Sequence, residues 1–361
     1  MRDRLPEGDT LLYSRGCDWT EEIETKFSAI GDKRSWEYPL LHRKVDAGEE
    51  ANKKEALAMA DSADVIIAAM GENVMLCGEN RDRQGLRLPG LQEQYVEELI
   101  KTGKPVVLVM LGGRAQVVSG LAERCAAVIQ AWYTGEEGGN AVADILYGNV
   151  SPSAKLSVSY PNTEMNEPLC YNSQYSVVGD LKSPTQWPFG YGMSYTTFEY
   201  SNLKVDKEAS TTDLCINLSF DLKNTGGIAA DEVAQLYLSP TMQSLEASST
   251  TQQIRSIQLQ GFARVPLQPG ETKTVNIKLY TEQFGYYTHH SQPCGQTSPS
   301  RGSQESLPQV GRGQWNVAPG TFVVKVGSSS ADIRLQENVT LKGKPVSKPI
   351  REHYFSETAP F

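Results

Sequence analysis

The chain is 361 residues long, which fits two domains of ordinary size better than one. Hydrophobic residues at 39% and charged residues at 21% describe an ordered globular chain and exclude a disordered composition. A net charge of −9 with no basic stripe argues against nucleic acid as a partner, and no apolar run approaches the ~20 residues that a membrane helix needs.

From the N-terminus, residues 1–9 are polar and lack a signal-peptide core, and Thr10-Leu11-Leu12-Tyr13 reads as a strand. Asp64-Val65-Ile66-Ile67-Ala68-Ala69-Met70, ending in Gly71, is the continuous apolar run of a strand buried on both faces. Over residues 89–102, Leu91, Tyr95, Val96, Leu99 and Ile100 recur at helical spacing, with Pro89 suited to a first turn and Gly103 to a stop. Residues 105–111 and 126–132 predict two more buried strands. Residues 139–147, with Ala141, Val142, Ile145 and Leu146 on one side, predict a helix. Strands alternating with helices imply a layered α/β sandwich with a mostly parallel sheet.

Near residue 200 the period changes to two. Residues 214–222, 233–238 and 274–279 alternate, and turn signals separate them: Asn224-Thr225-Gly226-Gly227, Pro269-Gly270-Glu271 and Pro319-Gly320. This pattern predicts an all-β antiparallel sandwich. Residues 283–313, rich in Ser, Gln, Gly and Pro, read as a long surface insertion, and the charged, Pro-containing tail after Lys342 is expected to be partly mobile. The domains expected are therefore 1–198, 199–345 with the insertion at about 283–313, and a tail over 346–361.

The six cysteines are scattered, without CxxC or a histidine cluster, so neither a zinc site nor a dense disulfide framework is indicated. Cys125 and Cys215 lie in apolar stretches and read as buried thiols. No GxGxxG turn follows the first strand, which removes a nucleotide-dependent Rossmann enzyme, and no cofactor is expected. Asn217-Leu218-Ser219 and Asn338-Val339-Thr340 match a glycosylation triplet that recurs by chance.

Five strings stand in a telling order. Residues 68–72 run on to Cys77-Gly78-Glu79-Asn80-Arg81-Asp82-Arg83. Leu86-Arg87-Leu88-Pro89-Gly90-Leu91-Gln92 follows, then 103–107 with Gly112-Gly113-Arg114. Ala131-Trp132-Tyr133-Thr134-Gly135-Glu136-Glu137-Gly138-Gly139-Asn140-Ala141 comes next, and Pro188-Phe189-Gly190-Tyr191-Gly192-Met193-Ser194 closes the series. Together these resemble glycoside hydrolase family 3, from a strand and acid/base loop to the junction with a fibronectin type III-like domain, over roughly residues 10–342. Thr134 stands where the family pattern commonly has proline. The resemblance implies an α/β sandwich followed by the fibronectin type III-like sandwich. It implies the C-terminal portion of a retaining, exo-acting β-glucosidase or β-xylosidase acting on a β-linked oligosaccharide or glycoside. Full members carry an N-terminal barrel domain with an aspartate nucleophile, and an opening strand and helix before residues 13–17. This chain shows neither, so alone it is expected to be inactive. A periplasmic or secreted location is what the resemblance implies, and oligomeric state stays open. The rival reading is a non-catalytic accessory or carbohydrate-binding fragment.

Retaining cleavage needs two carboxyl groups about 5–5.5 Å apart, one nucleophile and one acid/base. The loop after the first apolar run offers Glu72, Glu79 and Asp82, at the strand edge where ligands gather in open α/β sheets. The resemblance makes Glu79 the acid/base, with Glu72 the runner-up. Trp132 and Tyr133 can supply an aromatic wall for a leaving sugar, although core packing claims most such rings. Arg114 can reach toward the sugar, although a structural salt bridge is the commoner fate. Glu136 and Glu137 at a helix start repel phosphate and serve the helix dipole.

Overall fold

In the computed structural model, residues 2–17, 49–73, 76–79, 83, 85–164, 169–172, 185–241, 256–288 and 313–359 are described. They divide into two compact units: Met1–Val150 with Ser159–Leu169 and Lys182–Trp187, and Ser151–Val158 with Cys170–Leu181 and Pro188–Phe361. Sheet outweighs helix in the chain as a whole.

In the first unit, helix α1 (Glu49–Ser62) precedes strand β1 (Ile66–Gly71). Helix α2 (Gln92–Lys101) leads to β2 (Val106–Leu111), and the short α3 (Ser119–Ala122) leads to β3 (Ala127–Gln130). The three strands pair in parallel, in the order β1-β2-β3. Parallel neighbours need crossover connections, which α2 and α3 supply. The helical spacing read from the sequence has a physical purpose: Tyr95, Val96 and Leu99 on one face of α2 share a core with Ala68, Leu108 and Met110 of the sheet. Helix α4 (Gly138–Leu146) follows β3, and β4 (Tyr160–Pro161) pairs antiparallel with β5 (Thr185–Trp187). The expectation of a mostly parallel sheet is thus met by one sheet of three strands. Residues 10–13, expected as a strand, pair with no strand among the described residues.

Among its described residues the second unit is built of strands, with a 3-10 turn at Thr281–Phe284. Its elements are β6 (Phe198–Val205), β7 (Glu208–Ser210), β8 (Cys215–Asn224), β9 (Ala230–Pro240), β10 (Gln258–Leu267) and β11 (Thr272–Tyr280). They continue as β12 (Tyr286–Thr288), β13 (Gln314–Val317), β14 (Gly320–Ser329), β15 (Asp332–Lys342), β16 (Val346–Lys348) and β17 (Glu357–Thr358). One sheet runs β10-β9-β14-β15-β7 and a second β17-β11-β8-β6, antiparallel except where β7 joins β15. Alternate residues such as Ile216, Leu218, Phe220 and Leu222 face Leu236, Val265, Val324 and Val326 in one shared core, as period two demands. The string starting at Pro188 belongs to this unit: Phe189 stacks on Tyr171 at 4.1 Å, and Gly190 O accepts from Gln235 Nε2 at 3.0 Å.

Where an insertion was expected from residue 283, Gln283 and Phe284 are buried and β12 follows; residues 289–312 lie outside the described residues. The tail, expected to be partly mobile, is instead tied to the sandwich. Strand β16 pairs with β13, and β17 with β11. Between them the buried Glu282 pairs with the Lys348 ammonium and accepts the backbone N–H groups of Glu352 and His353 at 2.9 Å each. Burial works against its charge, but Lys348 and those N–H groups outweigh burial and hold its carboxyl down at about 2. Cys125 and Cys215, expected as buried thiols, are half-buried, and burial pushes the Cys125 thiol up.

Candidate active site

The parallel strands end together, and glycine makes the ending close. Gly71 ends β1 at φ 138°, and a Cβ there would lie 1.7 Å from Leu111 O on β2. Only glycine allows that approach. The backbone of Gly71 is also clamped by a side chain from α2: its N–H donates to Gln92 Oε1 at 2.7 Å, and its carbonyl accepts from Gln92 Nε2 at 2.9 Å. Gln92 is buried, and this two-point clamp satisfies both ends of its amide. Just after β2, Gly112 carries φ 152°, and its N–H reaches Trp132 O after β3 at 3.4 Å.

Glu72 follows Gly71, its N–H donating to Leu111 O at 2.8 Å and its side chain fully buried. A buried carboxylate needs partners, and two arginines supply them. Arg83, farther along the loop, bonds Oε1, and Arg114 Nε stands 2.9 Å from Oε2 as an ion pair rather than an aligned hydrogen bond. Arg114 also donates to Leu76 O at 2.8 Å. Its side chain therefore joins Glu72 to the loop after β1.

Glu79 is exposed on this loop, two residues after the half-buried Cys77. Asp82 lies outside the described residues. After β3, Trp132 adopts a left-handed backbone at φ 57°, uncommon for a bulky residue. Its ring meets Tyr160 edge-on at 6.1 Å, and Tyr160 packs on Trp187 at 5.4 Å, so the half-buried Trp132 belongs to an aromatic cluster. Tyr133 is different. The residue is 53% exposed, and its hydroxyl donates to Asn73 O at 3.2 Å. Burial first, then the hydrogen bond with Cys77, push its phenol up to about 12. A Cβ on Gly113 would meet Cys77 Sγ at 2.7 Å and Tyr133 Cε2 at 2.9 Å, so these three residues pack together. The loops after β1, β2 and β3 thus bring Glu72, Glu79, Arg83, Arg114 and Tyr133 to the C-terminal edge of the sheet, where such sheets collect ligands.

Among the described residues, one group could gather three metal donors within 4.8 Å: Glu282, Glu352 and His353 of the second unit. The oxygens of Glu282 are already engaged by Lys348 and the backbone of the tail.

Residues 9–195 match the C-terminal domain of glycosyl hydrolase family 3. The chain belongs to glycoside hydrolase family 3. Residues 232–296 of this family 3 chain match the fibronectin type III-like domain. It is 32% identical over 350 residues to a β-xylosidase of Formosa agariphila, covering 95% of this chain and 41% of that protein. It is 28% identical to a periplasmic β-glucosidase of Salmonella typhimurium, covering 92% of this chain and 41% of that one. The structure of a Listeria innocua β-glucosidase in complex with gluconolactone superposes with a TM-score of 0.68 at 30% identity, over 82% of this chain and 39% of the other. The family 3 chain thus spans about two fifths of the length of the curated relatives it matches. Sequence reasoning missed Gln92 as a clamp. The signal was present, since a glutamine beside Pro89-Gly90 at a helix start is a polar residue where an apolar one would pack.

Proposed function

We propose that this chain is the C-terminal part of a retaining, exo-acting β-glycosidase of the β-glucosidase or β-xylosidase kind, with Glu79 as its acid/base. In this reading residues 1–198 carry the α/β domain and its junction, the string from Pro188 packing within the second unit, and 199–345 are the fibronectin type III-like domain. The observation that carries the reading is the match of nearly the whole chain to such enzymes, with Glu79 exposed on the loop after β1. Glu79 donates a proton to the glycosidic oxygen while an aspartate of a barrel domain attacks the anomeric carbon. It then takes a proton from the water that hydrolyses the glycosyl-enzyme. Glu72 is the weaker candidate because both of its oxygens face arginines and its side chain is fully buried. Tyr133, exposed beside the loop, is the ring that supports a wall for the leaving sugar; the Trp132 ring packs on Tyr160 instead.

The test is Glu79→Gln in the full-length enzyme. Turnover of alkyl glycosides, whose leaving groups need a proton, should fall by about 10²–10⁴-fold. Aryl glycosides with good phenolate leaving groups should lose less in the first step, and added azide should restore turnover by giving a β-glycosyl azide. Azide rescue in Glu72→Gln and none in Glu79→Gln would move the role to Glu72.

A further inference from the structure

We propose that Glu72 is a positioning residue that braces the loop carrying Glu79, acting through Arg83 and Arg114; the proposal rests on Glu79 as the proton donor. Glu72 is rooted at the end of β1 by its N–H bond to Leu111 O at 2.8 Å. Its carboxylate draws in Arg83 from the far end of the loop and Arg114 from the end of β2. Arg114 in turn holds Leu76 O at 2.8 Å. One anion therefore ties the start, the middle and the end of the loop to two strand termini. Glu79 falls between the ties at Leu76 and Arg83.

The Glu72 side chain is fully buried, with both of its oxygens facing arginines. What it does is hold two guanidinium groups that would otherwise repel one another. Taking away its charge leaves two cations facing an uncharged amide, and a buried group that loses its counter-charge drives the local structure open. Gln92, clamping Gly71 on both sides of its backbone, keeps the strand end in place whatever happens to the loop. The expected consequence is loosening of the loop, with the sheet intact. Cys77 reports on it directly, since it lies in the loop, half-buried, with its sulfur packed at Gly113 and hydrogen-bonded to Tyr133.

The test alkylates this chain with iodoacetamide and follows each thiol by peptide mass mapping. In Glu72→Gln, Cys77 should react about tenfold faster or more than in the wild type, while Cys125, half-buried against the core of the same unit, keeps its rate, as local opening requires. Arg83→Lys, which keeps the charge and loses the planar fork, should give a smaller change in the same direction. An unchanged Cys77 rate in both variants, or an equal rise at Cys125 in both, overturns the brace. In the full-length enzyme Glu72→Gln should lower kcat with little change in KM and show no azide rescue. Rescue there would make Glu72 the acid/base and overturn the positioning role. If azide fails to rescue Glu79→Gln while Cys77 of Glu72→Gln still labels faster, only the assignment of Glu79 falls and the brace stands.

Discussion

Both units bury a carboxylate among cations, yet to different ends. In the parallel-sheet unit, Glu72 is held by Arg83, from the loop that also carries Glu79, and by Arg114, from the loop after β2. In the β-sandwich, Glu282 is held by Lys348 and by backbone N–H groups of the tail, so it seals a chain end against the sheet. Side-chain partners at a strand edge leave the surrounding loop available to a ligand. Backbone partners between two paired strands leave nothing to move. The same electrostatic device therefore organises a candidate site in one unit and closes a fold in the other, and the difference lies in what the anion is bonded to.

The glycines of the two units break the comparison most sharply. Gly71 and Gly270 both have positive φ, 138° and 78°, but a Cβ on Gly71 would strike Leu111 O whereas one on Gly270 would meet nothing within 4 Å. Gly71→Ala should cost more than about 4 kcal/mol, in the range reserved for exceptional single-site losses. Gly270→Ala should cost only the left-handed backbone penalty, about 1–2 kcal/mol. Urea denaturation of the two variants measures both, and equal losses would show that crowding at the end of β1 is relieved by movement of β2.

Glu282→Gln comes next in size. Its carboxyl, ordinarily at 4.5, is held at about 2 in the folded chain, so its stabilisation is fully present above pH 4.5 and is lost as pH falls toward 2. The depression corresponds to a contribution on the order of 3 kcal/mol. Stability measured from pH 6 down to 2.5 should show the wild type ahead of Glu282→Gln at pH 6, with the gap closing through the acid range. A gap independent of pH would mean that shape and hydrogen bonding, not charge, hold the tail.

The smallest effect belongs to Tyr133→Phe. It removes the hydroxyl bond to Asn73 O and the contact with the Cys77 thiol, at a residue more than half exposed. The loss should stay within about 1 kcal/mol, because water replaces the missing partner. Thermal melting of this chain checks it, and a larger drop would place Tyr133 among the supports of the loop rather than on its open side.

The sequence by itself determined where the central strands and α2 form, because hydrophobic period is a property of neighbouring residues. Residues 10–13, by contrast, pair with no strand among the described residues, and α1 was not read from the sequence. The run after Val65 became β1, the spacing of Tyr95, Val96 and Leu99 became the buried face of α2, and the alternation around Phe220 became the sandwich core. The order of its motifs also named the family, and its carboxylates marked the loop after β1. Tertiary structure alone decided what each polar group does. Arg114 and Arg83 meet Glu72 only because parallel strands end side by side. Trp132 and Tyr133 are adjacent in sequence, yet the left-handed turn at Trp132 leaves one in an aromatic cluster and the other exposed. The tail reads as loose because its polar, Pro-containing composition shows no period, yet it is fixed by strand pairing with β13 and β11 and by the buried Glu282, all distant in the chain. Apolar burial is written locally and summed over many residues. The partner of a buried charge is one specific atom, and its position depends on how distant segments converge.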